Sequence, residues 1–238
     1  MAKEAVVLAG GLGTRLRSVV KDVPKPMAEV AGRPFLDFIM FFLAKNNIER
    51  AILAVGHKFE VIQEYYSNGA SSFGVQIDYS VENEPLGTGG AILQAADQVK
   101  GDDFFIVNGD TYFDVNLAEL EEFAQAASAD IAIALKEVQA SQRYGHVECS
   151  DADRIVSFKE KGTVEGEHNI INGGVYYMSK DVLGKCSLPD KFSFETDFLQ
   201  AKLHDIRAYG KLFEGHFIDI GIPEDYSLAQ SFLKDVIH

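Results

Sequence analysis

The feature that most constrains this chain is a boundary near its start. An apolar run from Ala5 to Ala9 stops at Gly10 and Gly11. Such a run reads as a buried strand, and glycines directly after it let backbone approach a ligand closely. Backbone N–H groups in a turn of this kind form an anion-binding nest. Arg15 then supplies a planar, always-charged fork suited to phosphate oxygens. Lys25 follows between Pro24 and Pro26, which restrict its backbone. The stretch LAGGLGTRLRSVVKDVPKP, residues 8–26, therefore reads as a cradle for a polyphosphate.

The widespread phosphate loops do not fit it. A Walker loop needs Gly-Lys-Ser/Thr, whereas Thr14 and Arg15 follow Gly13. The dinucleotide fingerprint G-x-G-x-x-G fails because Leu16 stands where the third glycine belongs. The chain has 238 residues, 47% of them hydrophobic, enough for one large domain with a full core. A formal charge of -14 argues against nucleic acid or an anionic membrane as a general partner. A phosphate site here is a local basic patch in an acidic field, and magnesium would help to neutralise the substrate. Cys149 and Cys186 have no metal or redox spacing, and the six histidines form no zinc motif. The first strand begins almost at once and no apolar run reaches membrane-spanning length, so the expected location is the cytoplasm.

Strand-like and helix-like stretches alternate through the first half. Val6–Ala9, Arg50–Val55, Val75–Val81, Asp103–Asn108 and Ile131–Lys136 read as strands. Residues Pro34–Lys45, Phe59–Tyr66, Thr88–Val99 and Leu117–Ala127 read as helices, the last capped by Asn116. This alternation predicts an α/β fold, a mostly parallel central sheet with helices on both faces. Ligands of such sheets bind beyond the carboxyl ends of the strands. The second half differs. Gly145–Cys149, Arg154–Phe158 and Gly173–Met178 are short strands between turns and suggest a small antiparallel layer over the same edge. A helix over Phe194–Lys202, a strand over Phe217–Ile220 and a helix over Glu224–Val236 complete the chain. With no repeat or linker, 1–238 reads as one domain.

Three further motifs carry chemistry. Pro85-Leu86-Gly87-Thr88-Gly89-Gly90 is a second glycine-rich turn, either a plain helix opening or a wall for a flat base. Val107-Asn108-Gly109-Asp110 puts a carboxylate right after a buried strand, either as a helix cap or as a ligand for a hard cation. Asp219 lies in Phe217-Ile218-Asp219-Ile220-Gly221-Ile222-Pro223.

The run G-G-x-G-T-R-L, the Lys25-Pro26 pair, Gly109-Asp110 and the Asp219 motif together resemble the sugar-1-phosphate nucleotidyltransferases, from Val6 to Tyr226. The resemblance implies a Rossmann-like nucleotidyltransferase fold with a sugar-binding antiparallel layer. It implies that Leu8, Ala9, Gly10, Gly11, Gly13, Thr14, Glu82, Pro85, Gly87 and Thr88 surround the nucleotide. Arg15, Lys25 and Asp110 would be catalytic, and Asp110 and Asp219 would hold Mg2+, with Mn2+ as a substitute. Gly145, Glu160, Lys161, Asn172 and Glu195 would face the sugar phosphate. The family usually continues Glu-Lys-Pro, but Gly162 follows Lys161 here. Glu195 equally suits the first turn of a helix.

The implied substrates are a nucleoside triphosphate and a sugar 1-phosphate. The opening motif looks closest to the bacterial guanylyltransferases of this family that act on D-glycero-α-D-manno-heptose 1-phosphate. Guanine presents adjacent N1–H and N2–H₂ donors, which an ionised Glu82 would accept. Mannose 1-phosphate and a uridylyl or thymidylyl donor are the alternatives within the family. A catalytically silent sensor should lack a phosphate cation or a metal carboxylate, yet Arg15, Lys25, Asp110 and Asp219 are all present. A glycosyltransferase would usually show Asp-x-Asp, and Asp110-Thr111-Tyr112 lacks the second aspartate. The sequence admits a homodimer without settling it.

Overall fold

The computed structural model describes residues 2–11, 16, 23–67, 69–139, 146–159 and 168–237. The strands are β1 (Glu4–Leu8), β2 (Glu29–Val30), β3 (Arg33–Pro34), β4 (Arg50–Val55), β5 (Gln76–Val81), β6 (Asp103–Asn108) and β7 (Thr111–Phe113). They continue with β8 (Ile131–Gln139), β9 (His146–Cys149), β10 (Ile155–Lys159), β11 (His168–Ser179), β12 (Ala208–Leu212) and β13 (Phe217–Asp219). The helices are α1 (Phe35–Lys45), α2 (Phe59–Tyr65), α3 (Gly87–Ala96), α4 (Leu117–Ala126), α5 (Asp181–Lys185) and α6 (Pro223–Phe232). Lys25–Met27 forms a 3-10 turn and Phe194–Gln200 a π-helical segment. Among the described residues, no helix is long and apolar enough to cross a membrane.

The central sheet has nine strands among the described residues, in the order β10-β9-β11-β6-β1-β4-β5, with β8 beside β11 and β12 beyond β8. β1 is parallel to both β4 and β6, and β4 is parallel to β5. This is the expected parallel half. The antiparallel strands continue the same sheet: β11 pairs with β6 through Val175–Ser179 and with β8 on its other side. What reads in sequence as a short strand at Gly173–Met178 is the end of a twelve-residue strand. Its register breaks between Asn172 and Tyr176, where Gly174 has φ +75, and that break conceals the strand's length from a pattern count.

Alternation along the strands assigns side chains to the two helix layers. Ala5 and Val7, Ala51 and Leu53, and Phe105 and Val107 join one core with Phe38 and Phe42 of α1 and Leu120 of α4. Val6, Ile52 and Ile106 point the other way, to Ile92 and Ala95 of α3 and to Phe194 and Phe198. The Asn116 side chain accepts from the N–H groups of Ala118 and Glu119, as its place before α4 predicts.

Polar pairing at the amino ends of the strands ties the parallel strands together. Arg50 donates to Glu4 Oε1, to Asp78 Oδ2 at 2.5 Å and to the Gln98 carbonyl at 2.9 Å. Glu4 Oε2 accepts from Lys100 N at 2.8 Å and Gly101 N at 3.1 Å. Burial raises the Glu4 carboxyl, but the Arg50 guanidinium and the two N–H groups outweigh it and hold the pKa below 4.5. A depressed carboxyl contributes stability above its unfolded pKa and loses it as pH falls through the folded value. Glu4→Gln is therefore expected to be less stable than the parent near neutrality, with a shrinking difference below about pH 4. Urea midpoints measured against pH test this, and a difference constant with pH would contradict it.

Candidate active site

The parallel strands end side by side, and their hydrogen bonding runs one residue further. Ala9 N donates to Ala54 O at 2.9 Å, Glu82 N to Val55 O at 2.8 Å and Gly109 N to Leu8 O at 3.0 Å. Gly10, Glu82 and Gly109 thus leave the sheet at one level. Gly10, Glu82 and Asp110, the residue after Gly109, border a cavity of about 590 Å³ whose lining also holds Leu8, Gly11, Lys25, Pro85, Gly87, Thr88, Glu195 and Asp219. The site lies at the carboxyl edge, where the strand order leads one to look.

Asp219 reaches Asp110 through a small second sheet. β13 pairs antiparallel with β7, with Asp219 opposite Thr111. Ile220 N donates to the Asp110 carbonyl at 3.0 Å. Lys25 then stands between the two carboxylates, its Nζ 2.5 Å from Asp110 Oδ2 and 3.8 Å from Asp219 Oδ1. Its side chain is only 11% exposed, so the ammonium is directed by the site and not by solvent. Thr111 Oγ1 donates to Asp110 Oδ1 at 3.3 Å, and Gly221 N to Asp219 Oδ1 at 2.5 Å.

Among the described lining residues Lys25 is the cation, set against Glu82, Asp110, Glu195, Asp219 and Asp225. A polyanion enters such surroundings only with added positive charge. The two aspartates suit a hard divalent ion whose remaining positions phosphate oxygens would fill. Among the described residues no group of three or more His, Cys, Asp or Glu side chains could hold a metal without such help.

Glu82 Oε2 accepts from Leu86 N at 2.9 Å and so closes the turn into α3. Burial pushes its carboxyl pKa up, and the Leu86 N–H opposes that. A Cβ on Gly10 would stand 2.7 Å from Glu82 Oε1, so a larger residue there would displace that carboxylate. Thr88 Oγ1 donates to Glu195 Oε2 at 2.8 Å and accepts from Phe194 N at 2.8 Å.

Other predicted positions fall elsewhere. Ala9 is buried in the core, outside the cavity lining. Asn172 is also absent from the lining: its Nδ2 donates to Tyr176 Oη at 2.7 Å and its Oδ1 accepts from Gly174 N at 3.0 Å. Gly13, Thr14, Arg15, Gly145, Glu160 and Lys161 lie outside the described residues. Asn108, Thr111 and Ile222 line the cavity without having been singled out. Asn108 and Ile222 lie inside motifs that were, and Thr111 adjoins one, so proximity to those motifs was the available signal. Asp225 also lines it, but an acidic residue in the first turn of α6 reads as a partner for the helix dipole.

The glycines of the second turn answer to packing as well as to the cavity. Gly87 has φ +74, and a Cβ there would stand 2.5 Å from the Phe192 carbonyl oxygen. Phe192 N donates to Leu86 O and Gly89 N to Phe192 O, both at 3.0 Å. The turn thus carries the segment that presents Glu195. Gly87→Ala is expected to destabilise the fold by about 1–3 kcal/mol through left-handed strain and overpacking. Gly11→Ala, with nothing among the described residues within 4 Å of the added Cβ, is expected to leave stability near the parent's. Paired denaturant titrations check this; equal effects would contradict it.

A family model described as nucleotidyl transferase matches residues 4–236. The chain is 46% identical over 234 residues to the D-glycero-alpha-D-manno-heptose 1-phosphate guanylyltransferase of Aneurinibacillus thermoaerophilus, covering 98% of this chain and 100% of that one. It is 45% identical over 223 residues to the protein of the same name from Campylobacter jejuni, covering 94% and 96%. The crystal structure of HddC from Yersinia pseudotuberculosis complexed with GMP-PN superimposes with a TM-score of 0.86 at 37% identity, over 98% of this chain and 100% of that one.

Proposed function

Because this chain belongs to the nucleotidyl transferase family, we propose that it transfers GMP from GTP to D-glycero-α-D-manno-heptose 1-phosphate, releasing pyrophosphate and GDP-heptose. The observation that carries the reading is the Lys25 ammonium between Asp110 and Asp219, in a cavity bounded by two glycine turns. The near-full-length identity to heptose 1-phosphate guanylyltransferases supports the choice of sugar and base.

A sugar phosphate oxygen attacks the α-phosphorus of GTP, and the bond from that phosphorus to the bridging oxygen of pyrophosphate breaks. The attacking phosphate is ionised at neutral pH, so no side chain has to remove a proton. Catalysis is positioning and charge stabilisation. The first glycine turn offers N–H groups to the phosphates, and Arg15 clamps the departing pair. Glu82 accepts from the guanine N1–H and N2–H₂ groups, since a carboxylate oxygen holding Leu86 N keeps a second lone pair. The family resemblance makes Gly145, Glu160, Lys161 and Glu195 the candidate contacts of the sugar phosphate. A divalent cation, magnesium or in its place manganese, held by Asp110 and Asp219 would neutralise phosphate oxygens. The cytoplasm, where nucleoside triphosphates are made, suits such a reaction.

The reading is tested by kcat/KM for GTP, UTP, CTP and dTTP with the heptose phosphate, repeated with mannose 1-phosphate, following pyrophosphate. GTP with the heptose phosphate is expected to lead. Preference for UTP or dTTP overturns the base, and efficient use of mannose 1-phosphate with little use of the heptose overturns the sugar.

Lys25 has two tasks in this scheme. It balances the aspartates before substrate arrives and must leave Asp110 to follow the charge growing at the α-phosphoryl group. Lys25→Met is expected to raise the reaction barrier by about 3–4 kcal/mol, as loss of one oxyanion donor does. Without nucleotide the same variant should bind Mn2+ about tenfold more tightly than the parent, since the competing ammonium is gone. Electron paramagnetic resonance titration of free Mn2+ reads this; weaker binding by the variant would contradict it.

A further inference from the structure

Glu195, an acid of the cavity lining, is held by a residue far from it in sequence. Thr88 is the second residue of α3, on the turn assigned to the nucleotide. Its hydroxyl is engaged in both directions: the proton goes to Glu195 Oε2 at 2.8 Å, and a lone pair takes Phe194 N at 2.8 Å. Ser193 Oγ donates to the same Oε2 at 3.2 Å. Ser193 Oγ also accepts from Thr196 N at 3.2 Å, and Ser193 N donates to Asp197 Oδ2 at 2.7 Å, which ties the start of the π-helical segment to itself. Two hydroxyls from two separate elements therefore grip one oxygen of Glu195, whose side chain lines the cavity together with Lys25 and Asp110. An unheld glutamate would lose rotamer freedom only on binding, at a cost to affinity.

We propose that Thr88 is a positioning residue for the sugar: it presets the Glu195 carboxylate to accept a hydroxyl of the sugar 1-phosphate, acting from the nucleotide-side turn. The position of the sugar-side acid is then set by the turn that Glu82 closes through Leu86 N. The proposal rests on the reading of Glu195 as a sugar contact. Thr88→Val keeps the shape of the side chain and removes both hydrogen-bonding functions; Thr88→Ser keeps both.

The test uses the full chain with magnesium, varying D-glycero-α-D-manno-heptose 1-phosphate at saturating GTP and then the reverse. Thr88→Val is expected to raise KM for the heptose phosphate about tenfold and KM for GTP by clearly less. Thr88→Ser is expected to restore the parent value. In a Glu195→Ala background, Thr88→Val should add no further rise, because the two residues act through one contact. If Thr88→Val does not fold, Glu195→Asp, which draws the acid away from Thr88, should show the same split between the two KM values. Equal rises in both KM values, failure of serine to rescue, or an undiminished effect in the Glu195→Ala background each overturns the proposal. An unchanged heptose phosphate KM in Glu195→Ala removes its premise and overturns it too. A parent that releases no pyrophosphate overturns the proposed function, and this inference with it.

Discussion

β1 lies between β4 and β6, parallel to both, and the rest of the site depends on that placement. Parallel hydrogen bonds are evenly spaced, so three strands pointing the same way release their chains at the same level. The extra bonds from Ala9 to Ala54, Glu82 to Val55 and Gly109 to Leu8 carry this alignment into the turns. A slip of one residue would send Val6 and Ile106 to the wrong helix layer and Val7 and Val107 to the other. Burial on both faces therefore holds the register, and the register holds the cavity.

Close approach is the second condition. Leu8 O lies where a Cβ on Gly109 would come within 2.6 Å, so the Asp110 turn folds tightly against the end of β1. The β7–β13 pair then brings Asp219 to the same point from the far end of the chain. Lys25 arrives from a third direction, on a short 3-10 turn next to Pro24 and Pro26. Opposite charges gathered this closely and partly shielded from water depend on each other, because removing one leaves the rest uncompensated.

The second glycine turn serves structure and chemistry together. Gly87, Gly89 and Gly90 admit the backbone and ring of residues 190–192, where any side chain would collide. That packing sets Ser193 and Glu195 over the cavity. Asn172 has a bracing part as well. It sits beside the glycines that interrupt β11, and its amide supports Tyr176 and Gly174. Glycine and asparagine at a strand break suit a ligand contact and a local brace equally well, and only neighbouring atoms separate the two.

Several things were legible in the sequence alone: the alternating elements, the carboxyl-edge location, the glycine turns, the basic residues of the opening loop and the family that these motifs resemble. Each is written in contiguous residues, because strand and helix periodicity and turn chemistry act over a few positions. Strand β4 and strand β6 come out with their predicted ends for that reason. The tertiary structure decided the rest. It joined β11 to β6, so that the antiparallel strands extend the main sheet. It brought Asp219 to Asp110, placed Lys25 between them, joined Asn172 to Tyr176 and linked Thr88 to Glu195. These are contacts between residues distant in sequence. Local preference carries no record of them, and they arise from two-sided burial of the sheet and the pairing of its edges.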